Sequence, residues 1–348
     1  MSVGRRMLIT GLSSFWGGRL AQEFERDPGV EVVVGMDSRP PVVALGRTEF
    51  VRADETYSIL SRLVRATQVD TIVHAGLIVD SSSQSARVLH EHNVIGTMNL
   101  LASAAAEDSR VTTVVVKSST LVYGSARRDP TWFAEDSRRT SPARTPVERS
   151  LLEAEELIEA FVEENPGVRA AVLRCANVLG EDLVTALSRA LCGPVTPVVA
   201  GFDPQLQFVE QEDVIRAIRF VVARGLEGVF NVAGDGRLPW SEIRAMAGHF
   251  PLPLSPVLTG LAVLPLSRLG LLRLAPETLE LLRFGRGVDN TKLKHAGFRY
   301  NFTTAGAVRH FVEARRVGRV AGDRPAYRYE SDVEAFFRHS PAVVVPPA

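Results

Sequence analysis

The hydrophobic residues of the chain fall into short runs that alternate with segments of helical spacing. The first run, residues 7–10, is followed by a glycine-containing turn and by Leu20, Ala21 and Phe24, which recur three or four residues apart. Further runs lie at 30–36, 71–74, 112–116 and 170–173, and helical segments at 57–67, 83–106 and 147–164. Because the runs are apolar throughout, they predict buried parallel strands with helices on both faces. We expect an α/β fold with a doubly wound parallel Rossmann sheet.

The second half of the chain has a less regular pattern and more frequent prolines. We predict a Rossmann domain over residues 1–175, with a return segment near 205–232, and a smaller C-terminal lobe over 176–204 and 233–318. Residues 319–348 are expected to form a C-terminal tail.

The apolar stretch 257–274 is interrupted by Pro265, Arg268 and Arg273. It therefore predicts a buried or pocket-lining helical segment and no membrane span.

Composition and charge narrow the possible partners. The 348 residues include forty basic and forty acidic side chains, so no net charge favours nucleic acid or anionic lipid. The two cysteines and seven histidines match no disulfide framework or metal-ligand spacing, so we expect no metal site. The polar N-terminus lacks the apolar segment of a signal peptide, and we expect a cytoplasmic protein. The lysines are only Lys117, Lys292 and Lys294, which limits where amine chemistry can occur.

A glycine-containing turn follows the first predicted strand. Gly11, Ser14 and Gly17 have the spacing of a GxxGxxG turn, which lets the backbone approach a pyrophosphate and points helix amides at it. The Ser14 Cβ narrows that approach, although its hydroxyl can donate to a phosphate. Asp37 ends the second predicted strand, 20 residues after Gly17, where a carboxylate can accept hydrogen bonds from an adenosine ribose. This favours NAD over NADP, and Arg39 nearby keeps NADP possible.

Further short motifs follow the glycine turn in order along most of the chain. They are Asp54 in VRAD, HAG at 74–76, NVIGTMNLL at 93–101, SSTLVYG at 118–124, LRCANVLG at 173–180, QFV at 207–209 with Asp213-Val214, and GVFNV at 228–232. Together with the glycine turn, they resemble the extended short-chain dehydrogenase/reductases of the NAD-dependent epimerase/dehydratase type. That group includes UDP-galactose 4-epimerase. The resemblance implies a Rossmann fold, bound NAD and a nucleotide sugar as the small-molecule ligand, held by the smaller lobe.

The resemblance also implies roles for particular residues. Asp54 would bind the adenine amino group, Ala75 and Gly76 would let the cofactor cross the end of the fourth strand, and Asn93 would brace the helix behind the site. Ser119, at the end of the fifth strand, would hydrogen-bond the reacting oxygen of the substrate. The predicted cofactor-binding set is Gly11, Ser14, Phe15, Trp16, Gly17, Asp37, Asp54, Ala75, Gly76, Asn93 and Ser118. A purely structural role is the alternative for both residues, since Asn93 can cap a helix turn and Ser119 can hydrogen-bond to backbone groups at the strand end.

One departure from the family concerns the general base. The family uses a tyrosine followed four residues later by a lysine, at the start of the helix that here begins near residue 146. Val147 stands at the tyrosine position and Leu151 at the lysine position. No tyrosine lies between Tyr123 and Tyr300, so a small shift of alignment does not restore the pair. Val147 and Leu151 instead belong to an apolar helical stripe and predict a packed helix face.

Other groups near Ser119 are candidates for acid/base work. Lys117 lies two residues before Ser119, so both side chains share a face of an extended strand, and burial would lower the pKa of the amine towards a useful range. The alternative is that Lys117 extends to solvent or pairs with a carboxylate. Tyr123 occupies the family's Val-Tyr-Gly position, and we expect its phenol to pack at the rim. Lys117 and Ser119 are the predicted catalytic residues.

Three functions remain open at this point. The first is an NAD-binding enzyme of the epimerase/dehydratase type that transfers protons without the usual Tyr/Lys pair. The second is a non-catalytic dinucleotide-binding sensor or structural protein on the same fold. The third is an interaction protein that has lost the nucleotide, against which the retained Gly11, Gly17, Asp37 and Asp54 argue. Fold alone does not decide between them.

Two expectations concern partners. The helical segments 83–106 and 147–164 resemble those that form a four-helix dimer interface in the family, so we expect a homodimer. Leu152, Ile158 and Phe161 cannot all face one sheet, so some apolar surface is expected to remain for the second subunit. Arginines are the candidates for binding a charged second ligand. They are Arg216, Arg219, Arg283 and Arg286.

Overall fold

The computed structural model describes residues 4–82, 84–192, 195–256 and 274–321, with side chains as far as residue 316. The strands are β1 (Arg5–Thr10), β2 (Val30–Asp37), β3 (Glu49–Arg52), β4 (Thr71–His74), β5 (Thr113–Ser119), β6 (Trp132–Phe133), β7 (Arg169–Cys175), β8 (Asn177–Leu179), β9 (Val195–Val199), β10 (Gln205–Leu206), β11 (Phe208–Glu210), β12 (Gly228–Val232), β13 (Leu238–Pro239), β14 (Phe250–Leu254) and β15 (Gly287–Val288).

The α-helices are α1 (Phe15–Glu25), α2 (Tyr57–Thr67), α3 (Ala86–His90), α4 (Gly96–Ala104), α5 (Pro146–Glu164), α6 (Ala186–Ala190), α7 (Gln211–Arg224), α8 (Trp240–Ala247), α9 (Pro276–Phe284), α10 (Thr291–His295) and α11 (Thr304–Ala321). A π-helical turn, Glu91–Ile95, joins α3 to α4, and a 3₁₀ turn, Thr120–Tyr123, follows β5.

Seven parallel strands form the central sheet, in the order β12-β7-β5-β4-β1-β2-β3. Helix α4 contacts both α2 and α5 along one layer, and α1 contacts α7. All four residues of β4 are buried, as expected of a strand covered on both faces. The predicted doubly wound fold is confirmed. β3 is a strand that the apolar pattern did not indicate, because two of its four residues are charged and exposed and the other two are half-buried at the sheet edge.

The strand order reverses between β1 and β4, which places a crevice at their carboxyl ends. Gly11 follows β1 and Ala75 follows β4, so both border this crevice. The return segment supplies α7 and β12, and β12 extends the sheet beside β7. The glycine turn and the loop that begins with Ala75 and Gly76 therefore meet at this crevice.

A second hydrophobic cluster lies outside the central sheet. Trp240, Phe208, Leu282 and Phe311 are among its buried members. Short pairs of strands frame it, namely β9 with β14, β8 with β11 and β10 with β13. Most of its members lie in the segments predicted for the smaller lobe, whereas Leu206 and Phe208 lie in the predicted return segment, so the lobe boundaries stay a prediction. Helix α11 runs through the predicted boundary at 318 as far as Ala321, and most of the apolar stretch 257–274 and of the tail lies outside the described residues.

Helix α5 buries the apolar stripe that its sequence predicted. Ile158 and Phe161 are both buried in the core of the subunit, while Leu152 is half-buried. Of the three, Leu152 therefore keeps the most apolar surface, and the dimer contact stays a prediction. Ile158 and Phe161 lie on the stripe that faces the sheet, because they follow Leu151 and Ala154 at helical spacing.

Candidate functional site

The turn after β1 requires glycine at two positions. Gly11 has φ +72°, and a Cβ on it would lie 2.4 Å from the Cα of Gly76. A Cβ on Gly17 would lie 2.3 Å from the carbonyl oxygen of Gly11. The backbone of this turn is therefore packed directly against the strand-end loop at Gly76, and the N-terminus of α1 opens on the crevice. This cradle fits the pyrophosphate of a dinucleotide.

Ser14 has a local structural role in the turn. Its hydroxyl donates to the carbonyl oxygen of Gly11 at 2.6 Å and accepts from the amide of Gly17 at 3.1 Å, so Ser14 is the N-cap of α1. The single hydroxyl proton is thus engaged inside the turn. For this hydroxyl to donate to a phosphate, its hydrogen bond to the Gly11 carbonyl would first have to break.

Asp37 ends β2 at the rim of the crevice. Its carboxylate accepts from the amide and hydroxyl of Ser13, at 3.0 and 2.7 Å, and from the amide of Arg39 at 3.1 Å. Ser13 was missed in the sequence, because a second serine in the turn carries no spacing signal of its own. Arg39 is exposed and contacts Asp37 through its backbone.

A pocket of about 330 Å³ adjoins this carboxylate, and we call it the Asp37 pocket. It is lined by Asp37, Ser38, Ala53, Asp54, Glu55, Thr56, Val88, Glu91, His92, Ile95, Gly96 and Asn99. Asp54 is exposed at its mouth, whereas one carboxylate oxygen of Glu55 is buried and lacks a hydrogen-bond partner. Glu55 is a second residue that sequence reasoning missed, since its neighbour Asp54 carried the family motif.

The loop after β4 is fixed by buried polar groups. Asn93, in the π-helical turn, accepts from the amide of Ile78 at 2.8 Å and donates to the carbonyl of Ile78 at 2.9 Å and to the Ser150 hydroxyl at 3.0 Å. Asn93 thereby ties the loop to α5 and has no exposed surface of its own. Ala75 and Gly76 lie at the start of this loop, against the glycine turn. The structure places Asn93 behind the crevice as a brace.

His74 is the neutral centre of a second buried network. Burial lowers the pKa of His74 to about 3, so the ring is neutral at ordinary pH. Its two nitrogens contact the hydroxyls of Thr10, at 2.5 Å, and Thr97, at 3.2 Å. This network links β1, β4 and α4 directly beneath the crevice.

A second pocket, of about 180 Å³, lies further along the crevice, and we call it the Lys117 pocket. The polar side chains among its lining residues are Asp80, Lys117, Ser118, Ser119, Cys175, Asn177, Thr185, Glu277, Thr278 and Arg286, and Trp16 forms part of its wall. Phe15 packs edge-on against Trp16, with ring centroids 5.0 Å apart.

Lys117 is buried and faces this pocket. The residue is 3% exposed, and its Nζ lies 4.8 Å from the centroid of the Trp16 ring. Among the described residues, no hydrogen bond or ion pair engages Nζ. Burial lowers the pKa of Lys117, and the nearby Cys175 opposes that shift. The alternatives of a solvent-extended lysine or a carboxylate pair do not describe this side chain.

Ser119 and Cys175 are directly paired across β5 and β7 and line the same pocket. The Ser119 hydroxyl accepts from the amide of Leu121 at 3.2 Å, which leaves its proton available. Burial raises the pKa of the Cys175 thiol to about 11, so the thiol stays protonated. Ser118 differs, because its hydroxyl donates to Glu155 on α5, which also pairs with Arg174. The proton of the Ser118 hydroxyl is therefore already used in a hydrogen bond within the protein.

The start of α5 packs its apolar side chains into the core. Val147 and Leu151 have no exposed surface, and neither lines the Lys117 pocket. The helix begins with Thr145 and Glu148 in a reciprocal capping box, and Glu148 also pairs with Arg139. The predicted packed helix face is therefore what the structure contains.

Tyr123 is a structural residue. Its hydroxyl donates to Asn231 at 2.8 Å and accepts from Arg174 at 2.8 Å, and its ring stacks on Phe133. Burial raises the pKa of Tyr123, which opposes its use as a base. The expectation of a phenol at the rim is wrong, because Tyr123 is fully enclosed.

The structure separates the four candidate arginines. Arg216 pairs with Asp213, Arg219 with Glu23 and Arg283 with Glu280. Arg286 is 4% exposed, lines the Lys117 pocket and donates to the carbonyl of Gly124 at 3.1 Å. Burial lowers the pKa of Arg286 to about 10, so it remains a cation at neutral pH. Of the four, Arg286 alone lines this pocket.

Glu277, across the Lys117 pocket, accepts from the Ser81 hydroxyl and amide. Burial raises the pKa of Glu277, and Asp80 adds to that shift. Within the described ranges, no group of His, Cys, Asp and Glu side chains could hold a metal ion. In the same part of the chain, no helix has the length and hydropathy needed to cross a membrane.

Comparison with known proteins agrees with this geometry. Residues 7–233 match the NAD dependent epimerase/dehydratase family. An uncharacterized protein of Mycobacterium tuberculosis is 32% identical over 319 residues, which cover 89% of this chain and 84% of that protein. A Mycobacterium bovis protein, also uncharacterized, matches equally well.

Solved structures share the fold. MoeE5 in complex with UDP-glucuronic acid and NAD is similar with a TM-score of 0.69 and 21% identity, covering 90% of this chain and 99% of MoeE5. DesIV, a dTDP-glucose 4,6-dehydratase from Streptomyces venezuelae with NAD bound, has a TM-score of 0.68 and 24% sequence identity. The match covers 91% of this chain and 99% of DesIV. Thermotoga maritima UDP-glucose 4-epimerase has a TM-score of 0.69 and 18% sequence identity, and the match covers 90% of this chain and 99% of the epimerase. The predicted resemblance is confirmed, and this chain belongs to the NAD dependent epimerase/dehydratase family.

Proposed function

We propose that this protein binds NAD across the carboxyl ends of β1 and β4 and acts on a nucleotide sugar held in the Lys117 pocket. The glycine cradle at Gly11 and Gly17 supports the position of the pyrophosphate, because any Cβ there would collide with backbone. Asp37 would accept hydrogen bonds from the adenosine ribose, and Asp54 would contact the adenine. NAD, when bound, supplies the hydride acceptor and donor for chemistry at a sugar carbon.

Arg286 is our candidate for holding the diphosphate of the sugar nucleotide. It is a buried cation that lines the Lys117 pocket, and no carboxylate of the described residues forms an ion pair with it. A guanidinium in this situation retains its attraction for an anionic ligand. MoeE5 and the Thermotoga epimerase were solved with UDP sugars, which supports this class of ligand.

Lys117 is our candidate for the proton acceptor in place of the missing tyrosine. The observation that carries this assignment is a buried, unpaired amine in the same pocket as Ser119. In its neutral form Nζ can take the proton of a sugar hydroxyl, while the Ser119 hydroxyl donates to the same oxygen and orients it. Burial favours that neutral form, because it destabilises the ammonium.

A non-catalytic dinucleotide-binding role is the second candidate. It is favoured by the complete burial of Val147 and Leu151 at the positions of the family's Tyr/Lys pair. On this reading the crevice still binds NAD, and a bound ligand changes a partner interaction instead of reacting. Binding and turnover therefore have to be measured separately.

The test compares wild type with Lys117→Met, using Lys292→Met as the matched lysine control. Lys292 donates to the carbonyl of Val229 away from the crevice. NAD binding is measured by calorimetry, and turnover of UDP-glucose, UDP-galactose and UDP-glucuronic acid is followed by sugar-nucleotide chromatography. We expect Lys117→Met to lower turnover by about 10²–10⁴-fold, the usual contribution of a positioned acid/base group, with little change in NAD affinity. Lys292→Met should match wild type.

The pH profile adds an independent readout. Because the neutral amine accepts the proton, wild-type turnover should rise with pH through the lowered pKa of Lys117. Bound NAD without turnover in any variant would favour the sensor or structural role. Failure of wild type to bind NAD or NADP at millimolar ligand would leave only the interaction-protein hypothesis.

We also infer a homodimer through the helices that the family resemblance indicates. Met98 of α4 exposes apolar surface outside the Asp37 pocket, which supports burial against a second subunit. Replacing Met98 with glutamate should then raise the fraction of monomer. Light scattering that finds only monomer for wild type at tens of micromolar would contradict the dimer.

A further inference from the structure

Glu55 places a carboxylate beside the Asp37 pocket, at a position that the sequence motifs did not indicate. The residue follows β3, and its carbonyl oxygen accepts from the side chain of Asn99 at 2.9 Å. Its Oε2 is buried without a hydrogen-bond partner. A Cβ on Gly96 would lie 2.8 Å from this oxygen, so the carboxylate is packed closely against the start of α4.

The charges around the Asp37 pocket are predominantly negative. Four of its lining residues carry carboxyl groups: Asp37, Asp54, Glu55 and Glu91. Glu91 is compensated by Arg87 at 2.7 Å. No such ion pair engages Asp37, Asp54 or Glu55 in the described part of the chain. The lining contains no arginine or lysine, and His92 is its one basic side chain.

Asp37 and Glu55 are close enough to influence each other. Burial raises the pKa of Glu55, and the charge of Asp37 raises it further, whereas His92 and the Thr10 hydroxyl lower it. Both carboxylates line one pocket, so a doubly charged phosphate placed there would be repelled by two like charges instead of one. A neutral ribose hydroxyl meets no such repulsion.

We propose that Glu55 is a second cofactor-specificity residue, which acts with Asp37 to exclude a ribose 2′-phosphate from the pocket and so restricts the protein to NAD. The inference rests on the proposed dinucleotide binding and goes beyond it. Substituting Asp37 alone leaves a carboxylate beside the pocket. Efficient NADP binding therefore requires changes at both positions.

The experiment is a double-mutant cycle read by calorimetric dissociation constants for NAD and NADP. The proteins are wild type, Asp37→Asn, Glu55→Gln and the double variant, measured well above the ordinary carboxyl pKa range. Glu55→Gln should improve the ratio of NADP to NAD affinity by about tenfold, the scale of one nearby charge in a partly screened site. The double variant should improve it by about a hundredfold.

Glu49→Gln is the control, because Glu49 is an exposed carboxylate on β3 that does not line the Asp37 pocket. It should change the ratio by about twofold or less. Glu55→Met, of similar length, replaces Glu55→Gln if the latter does not fold.

An unchanged ratio in folded Glu55 variants, or equal weakening of both cofactors, would overturn the specificity role while leaving NAD binding intact. Absence of binding by wild type would instead overturn the proposed function.

Discussion

The two pockets of the crevice are built in different ways. The Asp37 pocket and the adjoining turn depend on backbone geometry, where Gly11 and Gly17 allow close contacts and Asp37 ends a strand. The Lys117 pocket depends on side chains that project from strand ends, including Lys117, Ser119 and Cys175. The first retains the features expected of the family, and the second lacks its Tyr/Lys pair.

This difference has a physical basis. Replacing a catalytic side chain by an apolar one leaves the backbone unchanged and buries more apolar surface, worth about 1.5–3 kcal/mol for a Leu or Val side chain. Adding a Cβ at the glycine turn instead forces backbone atoms apart. A family member can therefore change the chemistry at Val147 and Leu151 without cost to the fold, while the turn cannot change so freely.

The largest expected effect is from Leu151→Lys, which restores the family's lysine at a position without exposed surface. Burying an unpaired ammonium should lower the free energy of unfolding by several kcal/mol, measured by urea denaturation. Leu152→Lys is the control, because Leu152 is half-buried beside a large open groove. If Leu151→Lys were as stable as wild type, position 151 would still reach the crevice and the contrast between the pockets would fail.

A smaller effect is expected from Gly17→Ala at the other pocket. The new Cβ would meet the Gly11 carbonyl, so we expect a loss of about 1–3 kcal/mol in unfolding free energy together with weaker NAD binding. Gly167→Ala serves as the comparison, since a Cβ at Gly167 has no atom within 4 Å. Wild-type NAD affinity in Gly17→Ala would show that the turn does not constrain the ligand.

The smallest effect is predicted for Ser14→Ala. Loss of an N-cap should cost about 1 kcal/mol of unfolding free energy and leave NAD affinity within about threefold of wild type. Ser14→Gly should cost only a few tenths of a kcal/mol. A strong loss of NAD affinity at unchanged stability would mean that the hydroxyl leaves Gly11 and contacts the phosphate after all.

The sequence by itself determined the class of fold and the location of the crevice. Apolar runs of buried parallel strands, the spacing of Gly11 to Gly17 and the position of Asp37 are local properties of the chain, and each is fixed by backbone conformation or by one-dimensional pattern. The absence of a Tyr/Lys pair was equally certain, because it required only reading residues 147 and 151.

Only the tertiary structure decided which side chains meet in each pocket. Glu55 beside Asp37, Cys175 beside Ser119 and Arg286 in the Lys117 pocket join residues that are distant in sequence, and no local pattern indicates such pairings. Packing also decided between the open alternatives for Lys117 and Tyr123. Burial and hydrogen-bond partners are set by what surrounds a side chain in three dimensions. In this structure the Lys117 amine is buried without a hydrogen-bond partner among the described residues, whereas the Tyr123 hydroxyl donates to Asn231.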